Sequence, residues 1–235
     1  MANSGAPFVA PVEIVPFQVL SGWVFDGDQA PPARDWWRYS ESRLWRELCL
    51  CILSSRTKFE VAVEVQARLV RTGLLIRLRK RPELVSYMDV EKVLRPGKWG
   101  GSRAFGIPFW RTRARQLVQA ARLLYGDGKG GLKGFLSRFR DPDRMRSELV
   151  ERVPGLGMKQ ASHFLQNIQF SHDFAIIDSH VVRFLRDELM IDEAEADGLQ
   201  RGAYLRLEWQ IQRIAATNGL DMRMLDKVIW SMRGR

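Results

Sequence analysis

The sequence predicts an all-α protein, and three observations carry that prediction. From Trp36 onward, apolar residues recur at the three- and four-residue spacing of helices with one buried face. Alternation with a period of two is confined to the first twenty-five residues, where a few short strands are expected. The chain has 235 residues, 46% of them hydrophobic, enough for a sizeable core in one large domain or two small lobes.

Residues 1–35 stand apart from the rest. Pro7, Pro11, Pro16, Pro31 and Pro32 interrupt any long helix there, so the segment reads as a Pro-rich N-terminal stretch preceding a helical domain over 36–235. In RLWRELCLCILSS, Leu44, Leu48, Cys51 and Ile52 form one helical stripe. Ser54–Lys58 breaks that helix, and FEVAVEVQARLVR resumes as a second one that Gly73 ends. Leu74–Lys80 and Tyr87–Leu94 read as short helices, the latter started by Asp89. RPGKWGGSRAFGIPF is a long loop, a class of segment that is often functional. WRTRARQLVQAARLLYG is an amphipathic helix stopped by Gly126, and GDGKGG is a turn. Helices over Leu132–Phe139 and Arg144–Val150 follow, the second opened by Asp141-Pro142. After a hairpin at 153–157 come a helix over Lys159–Ile168, the apolar run FAII, a helix in HVVRFLRDEL, and helices over Tyr204–Asn218 and Met222–Met232.

Composition narrows the partner. Lys and Arg number 37 against 27 Asp and Glu, a net charge of +10. A basic surface binds polyanions because association releases their condensed counterions. Nucleic acid is favoured over an anionic membrane, since the chain carries no strongly amphipathic, Lys-rich terminal helix. No apolar run is long enough for a membrane span, and the N-terminus lacks a basic stretch leading into an apolar block. A cytoplasmic, nucleoid-associated location is expected. Cys49 and Cys51 read as core residues of one helix; two residues apart, they face different sides and suit no disulfide. Two cysteines are too few for an iron–sulfur cluster, and His163, His172 and His180 have no zinc-binding spacing. No redox cofactor or divalent metal is expected.

The strongest local signal is LVERVPGLGMKQASHFLQN. Pro154 fixes the entry to a tight hairpin, and Gly155 and Gly157 permit backbone angles that other residues avoid. A helix starts directly afterwards, so bare N–H groups and a positive helix end come together as a site for a DNA phosphate. A plain joint between two helices is the competing reading. Lys159 lies in the first turn of the new helix, where its amine serves either as a phosphate contact or as a nucleophile for a sugar carbon. The nucleophilic role needs the neutral amine. Asp178 follows FAII and opens a helix; by itself it reads as an ordinary N-cap, and beside the hairpin and Lys159 as a carboxylate that stabilises positive charge on a sugar.

The hairpin, then Lys159, then Asp178 resembles the helix-hairpin-helix DNA glycosylase superfamily. GMKQASHFLQN followed by AIIDSHVVRFL is most similar to the short archaeal and bacterial type of 8-oxoguanine DNA glycosylase/AP lyase. The resemblance implies a two-lobed fold with a cleft between the lobes, Lys159 as the lyase lysine and Asp178 as the catalytic carboxylate. It implies that His180, with Gly155 and Gly157, contacts the DNA backbone. It implies further that the carbonyls of Glu151, Val153 and Leu156 hold a monovalent cation, K+ or Na+. LCLCILSSRTKFEVA resembles the early helix and the loop that wedges into DNA, with Arg56 where Asn or Gln is common; Arg56 would fill the vacated stack or meet the orphan base. FWRTRARQLV resembles a segment near the base pocket, although Arg111, Arg113 and Arg115 equally suit a solvated or phosphate-facing patch. LDKVIWSMRGR resembles the short-type C-terminus, which implies Trp230 stacked on the extruded base, core packing being its other reading, and a base contact from Arg235 at the chain end; the resemblance also sets His163 in the base pocket. Trp23, Trp36, Trp37, Trp45, Trp99, Trp110 and Trp209 are read as packing residues, with Trp99 notable for its Gly-rich loop.

The expected protein is therefore a monomeric bifunctional glycosylase that flips 8-oxoguanine from duplex DNA, forms a lysine Schiff base and cuts by β-elimination. The same chemistry on another oxidised or modified base, and a non-enzymatic DNA-binding module, are the alternatives.

Overall fold

The computed structural model describes residues 35–97, 106–189 and 200–233. Eleven α-helices and two 3-10 turns make up their regular structure, and no strand occurs among the described residues. The N-terminal strands expected before residue 26 lie outside them, as does Trp99. The chain divides into two compact units, one of Gln29–Ile176 and one that includes Ile177–Arg235.

The first unit holds α1 (Glu41–Ser54), α2 (Phe59–Arg71), α3 (Leu74–Lys80), α4 (Tyr87–Leu94), α5 (Trp110–Tyr125), α6 (Gly131–Leu136), α7 (Pro142–Arg152) and α8 (Met158–Asn167). Helix α1 is its axis and packs against α2, α3, α5, α6 and α8. Leu44, Trp45, Leu48, Cys49, Cys51, Ile52 and Leu53 of α1 are all buried. Burying a side chain of this size stabilises by about 1.5–3 kcal/mol. The cysteines are core residues, and burial holds both thiols well above their usual range. Trp45 donates its indole N–H to the Leu75 carbonyl at 3.0 Å, so the largest side chain of the core leaves no buried donor unpaired.

Several helix starts are marked by side chains that accept otherwise orphaned N–H groups. Ser40 caps α1 by accepting from Arg43 N at 3.2 Å. At α4 the cap is Ser86, not Asp89: Asp89 sits three residues in and closes a capping box. Its carboxyl is lowered chiefly by the Ser86 hydroxyl. The Glu41 carboxylate accepts from the backbone N–H groups of Leu132 and Lys133, closing the start of α6. That helix ends at Leu136, earlier than the pattern to Phe139 predicts, because Ser137 takes the C-cap. Asp141 caps α7, which therefore begins at Pro142 rather than Arg144.

The second unit contains α9 (Ser179–Leu189), α10 (Arg201–Thr217) and α11 (Met222–Arg233). Helix α11 packs on both α9 and α10. Helix α10 starts three residues before the expected Tyr204, with Gln200 at its N-cap and Gly202 taken into its first turn.

Candidate functional site

The hairpin runs from the C-terminus of α7 through 153–157 into α8. Val153 and Leu156 are buried, and Leu156 N donates to the Val153 carbonyl at 3.3 Å. Gly155 has φ +94, and a Cβ there would stand 2.9 Å from Gln116 Oε1 and 3.1 Å from Ile52 Cγ2. Glycine is required at this position both by backbone angle and by space. Gly157 differs from its sequence-based reading: its φ of −95 and ψ of −177 are ordinary extended angles. Nothing lies within 4 Å of where its Cβ would be. Its use is the bare, exposed backbone it leaves at the N-cap of α8. No side chain caps this helix start, and its first turn has no acidic residue. No acidic residue of that turn offsets the positive end of α8.

Lys159 is half-buried in that first turn. Its charge is felt on α1, where it works to lower the Cys51 thiol against the larger raising effects of burial and of Glu47. Glu47 accepts from Asn167 Nδ2 at 2.7 Å and from the Cys51 thiol at 3.9 Å, so α8 is tied to α1 along its length. The neighbouring Gln160 is buried and donates to the Cys51 carbonyl at 3.0 Å and to Ser54 Oγ at 3.3 Å. Those groups end α1, where helix carbonyls lack partners. His163 is half-buried four residues beyond Lys159, on the same face of α8.

Beyond α1 the turn at 54–57 carries Arg56, exposed and at φ +55, a left-handed angle unusual for a side chain of that size. Arg113 reaches this turn from α5. It is only 7% exposed, donates Nη2 to the Ser55 carbonyl at 3.0 Å and Nη1 to Gln116 Oε1 at 2.8 Å. Its guanidinium is lowered in pKa, by burial first and by the Arg56 charge second. Of the three arginines of this segment only Arg113 is buried; Arg111 lies over the Trp110 ring and Arg115 over the Tyr87 ring, both exposed. The wedge-like turn, α5 and the hairpin are thereby joined through Arg113, Gln116 and Gly155, a linkage with no sequence motif.

Asp178 belongs to the second unit. Its Oδ1 accepts from Val181 N at 3.0 Å, so it is the N-cap of α9. The preceding residue is held by Tyr204, whose hydroxyl accepts from Ile177 N at 3.3 Å. Asp178 is half-buried. Glu151 is in the last turn of α7 and Val153 is its C-cap, at the negative end of that helix, whereas Leu156 directly precedes the N-cap of α8. His180 and Trp230 lie on α9 and α11, but their side chains, and Arg235, are outside the described residues. Sequence reasoning missed Gln160, Gln116 and Tyr204; the available signal for Gln160 was a polar residue between Met158 and Ala161 on a stripe that is otherwise apolar.

Comparison with known proteins gives consistent matches. A sequence model of the family described as 8-oxoguanine DNA glycosylase matches residues 32–220. The chain is 31% identical to the 8-oxoguanine DNA glycosylase/AP lyase of Methanocaldococcus jannaschii over 83% of this chain and 82% of that one. It is 30% identical to the protein of the same name from Metallosphaera sedula, over 83% of this chain and 84% of that one. Its fold is similar to the crystal structure of the M. jannaschii glycosylase/lyase in complex with DNA containing 8-oxoguanine, with a TM-score of 0.68, 27% identity, and coverage of 86% of this chain and 85% of that one. The 8-oxoguanine DNA glycosylase of Thermotoga maritima is similar at a TM-score of 0.65 and 25% identity, over 85% and 83% of the two chains.

Proposed function

The chain belongs to the 8-oxoguanine DNA glycosylase family, and from that premise we propose that it is a bifunctional DNA glycosylase/AP lyase that excises 8-oxoguanine from duplex DNA. The observation that carries the chemical reading is Lys159 in the first turn of α8, directly after a hairpin whose backbone is bare at Gly157.

The hairpin grips a phosphate with the open N–H groups of α8, and the flipped nucleotide's sugar then lies within reach of the adjacent turn. Lys159 Nζ attacks C1′. The C1′–N9 bond breaks, its electron pair leaves with the base, and the base takes up a proton. The amine loses a proton, the C1′–O4′ bond opens with O4′ protonated, and a C1′ iminium remains. Removal of a C2′ proton then expels the 3′ phosphate, and water releases the lysine. Asp178, which caps α9 through Oδ1, supports the positive charge of the sugar with its carboxylate and assists proton transfer. Arg56 on its exposed turn suits the space left by the flipped base. His180 serves the DNA backbone, and His163, Trp230 and Arg235 serve the base pocket. A monovalent cation held by the carbonyls of Glu151, Val153 and Leu156 would add positive charge beside the gripped phosphate. The protein works as a monomer at the nucleoid, which light scattering of the free protein checks for the first part.

Borohydride trapping is the test. Wild type should give a covalent adduct with duplexes carrying 8-oxoguanine or an abasic site, and Lys159→Gln should give none while binding the same DNA within a few-fold. No wild-type adduct on either substrate, or equal trapping by Lys159→Gln, overturns the reading.

A further inference from the structure

Helix α7 carries an arginine where a helix pair would ordinarily place an apolar residue. Arg146 is 2% exposed and lies on the stripe of Leu149 and Val153. Its Nη1 donates to Ser162 Oγ on α8 at 3.1 Å, and its Nη2 to Asp143 Oδ1 at 2.8 Å. The guanidinium plane sits over the Phe174 ring, 4.0 Å from the centroid. Ser162 and Phe174 are themselves buried. Phe174 is held a second time through its carbonyl, which accepts from Gln166 Nε2 of α8.

Three parts of the hairpin region therefore meet at one cation: α7, which enters the hairpin; α8, which leaves it; and the stretch Phe174–Ile176, through which the chain runs on to Asp178. Ser162 is three residues beyond Lys159, so the fork grips the same face of α8 that carries the amine. A buried ion is a poor device for stability alone, since an apolar side chain of similar volume often does as well or better. What a guanidinium adds is direction: a planar fork with fixed donor angles and a face for an aromatic ring.

We propose that Arg146 is a positioning residue of the lyase reaction. It holds the Lys159 helix and the link to Asp178 in one frame, and so sets the rate of attack on the sugar rather than the affinity for DNA. The inference rests on the glycosylase/lyase reading above. Misplacing a reacting group by about 1 Å costs on the order of 100-fold in rate.

The experiment uses the full chain with Arg146→Met and Arg146→Lys, and with Phe174→Leu as a variant that leaves the ion pair in place. Three quantities are measured: the thermal midpoint, Kd for a duplex with a tetrahydrofuran abasic analogue, and the single-turnover rate of borohydride-trapped adduct at saturating abasic DNA. The expected result is a trapping rate lowered at least about tenfold in both Arg146 variants, with Kd within about threefold of wild type. Arg146→Lys should not rescue, because it keeps the charge and loses the fork. Should the Arg146 variants fail to fold, Phe174→Leu carries the test, with a smaller loss of rate in the same direction. A wild-type trapping rate in the folded variants, or a loss confined to Kd, overturns the proposal. Absence of an adduct with wild type is a different result: it removes the lyase reading, and this inference with it.

Discussion

Arg113 donates through Nη2 to the carbonyl of Ser55 at 3.0 Å, fifty-eight residues earlier in the chain. The contact joins α5 to the turn that holds Arg56 in a left-handed conformation. Replacing Arg113 by Met removes the charged donor and should destabilise the protein by about 1.5–3 kcal/mol, measured by urea unfolding. Arg56→Gly works in the opposite direction, relieving the strained φ and raising stability by up to about 1 kcal/mol, since glycine adopts that angle freely. A destabilised Arg56→Gly would show that the turn is held by the arginine side chain instead.

The two hairpin glycines should separate by assay. Gly155→Ala puts a methyl group 2.9 Å from Gln116 Oε1 at φ +94. It should cost about 1–3 kcal/mol of stability, with DNA binding lost in proportion. Gly157→Ala meets open space at an ordinary backbone angle. It should leave the unfolding midpoint nearly unchanged and weaken DNA binding, because the methyl group stands where a phosphate approaches. Equal destabilisation by both substitutions would contradict this division.

Asp178 should likewise show two separable roles. Asparagine accepts from Val181 N as well as aspartate does, so Asp178→Asn should change stability by less than about 0.5 kcal/mol. The rate of base excision should nevertheless fall by roughly 100- to 10,000-fold, since the amide carries no charge and takes no proton. Asp178→Ala should show the same kinetic loss and an added stability cost of about 1 kcal/mol from the missing cap. An active Asp178→Asn enzyme would leave the residue as a cap only.

Alkaline pH should weaken the fold through α1. Burial raises both cysteine thiols in the folded state, with Glu47 adding to the effect at Cys51. Below the thiol pKa of the unfolded chain, about 8.5, both states are protonated and stability is independent of these groups. Above it the unfolded chain releases protons that the folded one retains, so stability falls by about 1.4 kcal/mol per pH unit for each thiol. Urea unfolding between pH 8 and 10.5 reads this slope, and Cys49→Ala with Cys51→Ala should flatten it. In the native state neither thiol should react with a disulfide reagent at pH 8.

What was legible in the sequence followed from local rules. The stripe of Leu44, Leu48, Cys51 and Ile52 is buried as its spacing requires, and the hairpin was visible because Pro154, Gly155 and Gly157 serve few other ends. The errors arose where two residues compete for one local role. Asp89 looked like a cap until Ser86, three residues earlier, was found to hold the position. Arg113 and Arg146 were not legible, because an arginine at the surface and one sealed between helices have the same letter. The trace they left was position: Arg146 falls in register with Leu149 and Val153, where a charge has no reason to be unless something receives it. Gln116 lies against Gly155, thirty-nine residues on, and Tyr204 acts through Ile177, twenty-seven residues away, distances that no helical period reports.

Glu41 gives the start of α6 its own built-in counter-ion, while the start of α8 is left vacant. The first end is neutralised from within the fold, whereas the first turn of the second carries no acidic residue. One carboxylate thus commits the partial charge of a helix end to fastening α1 to α6.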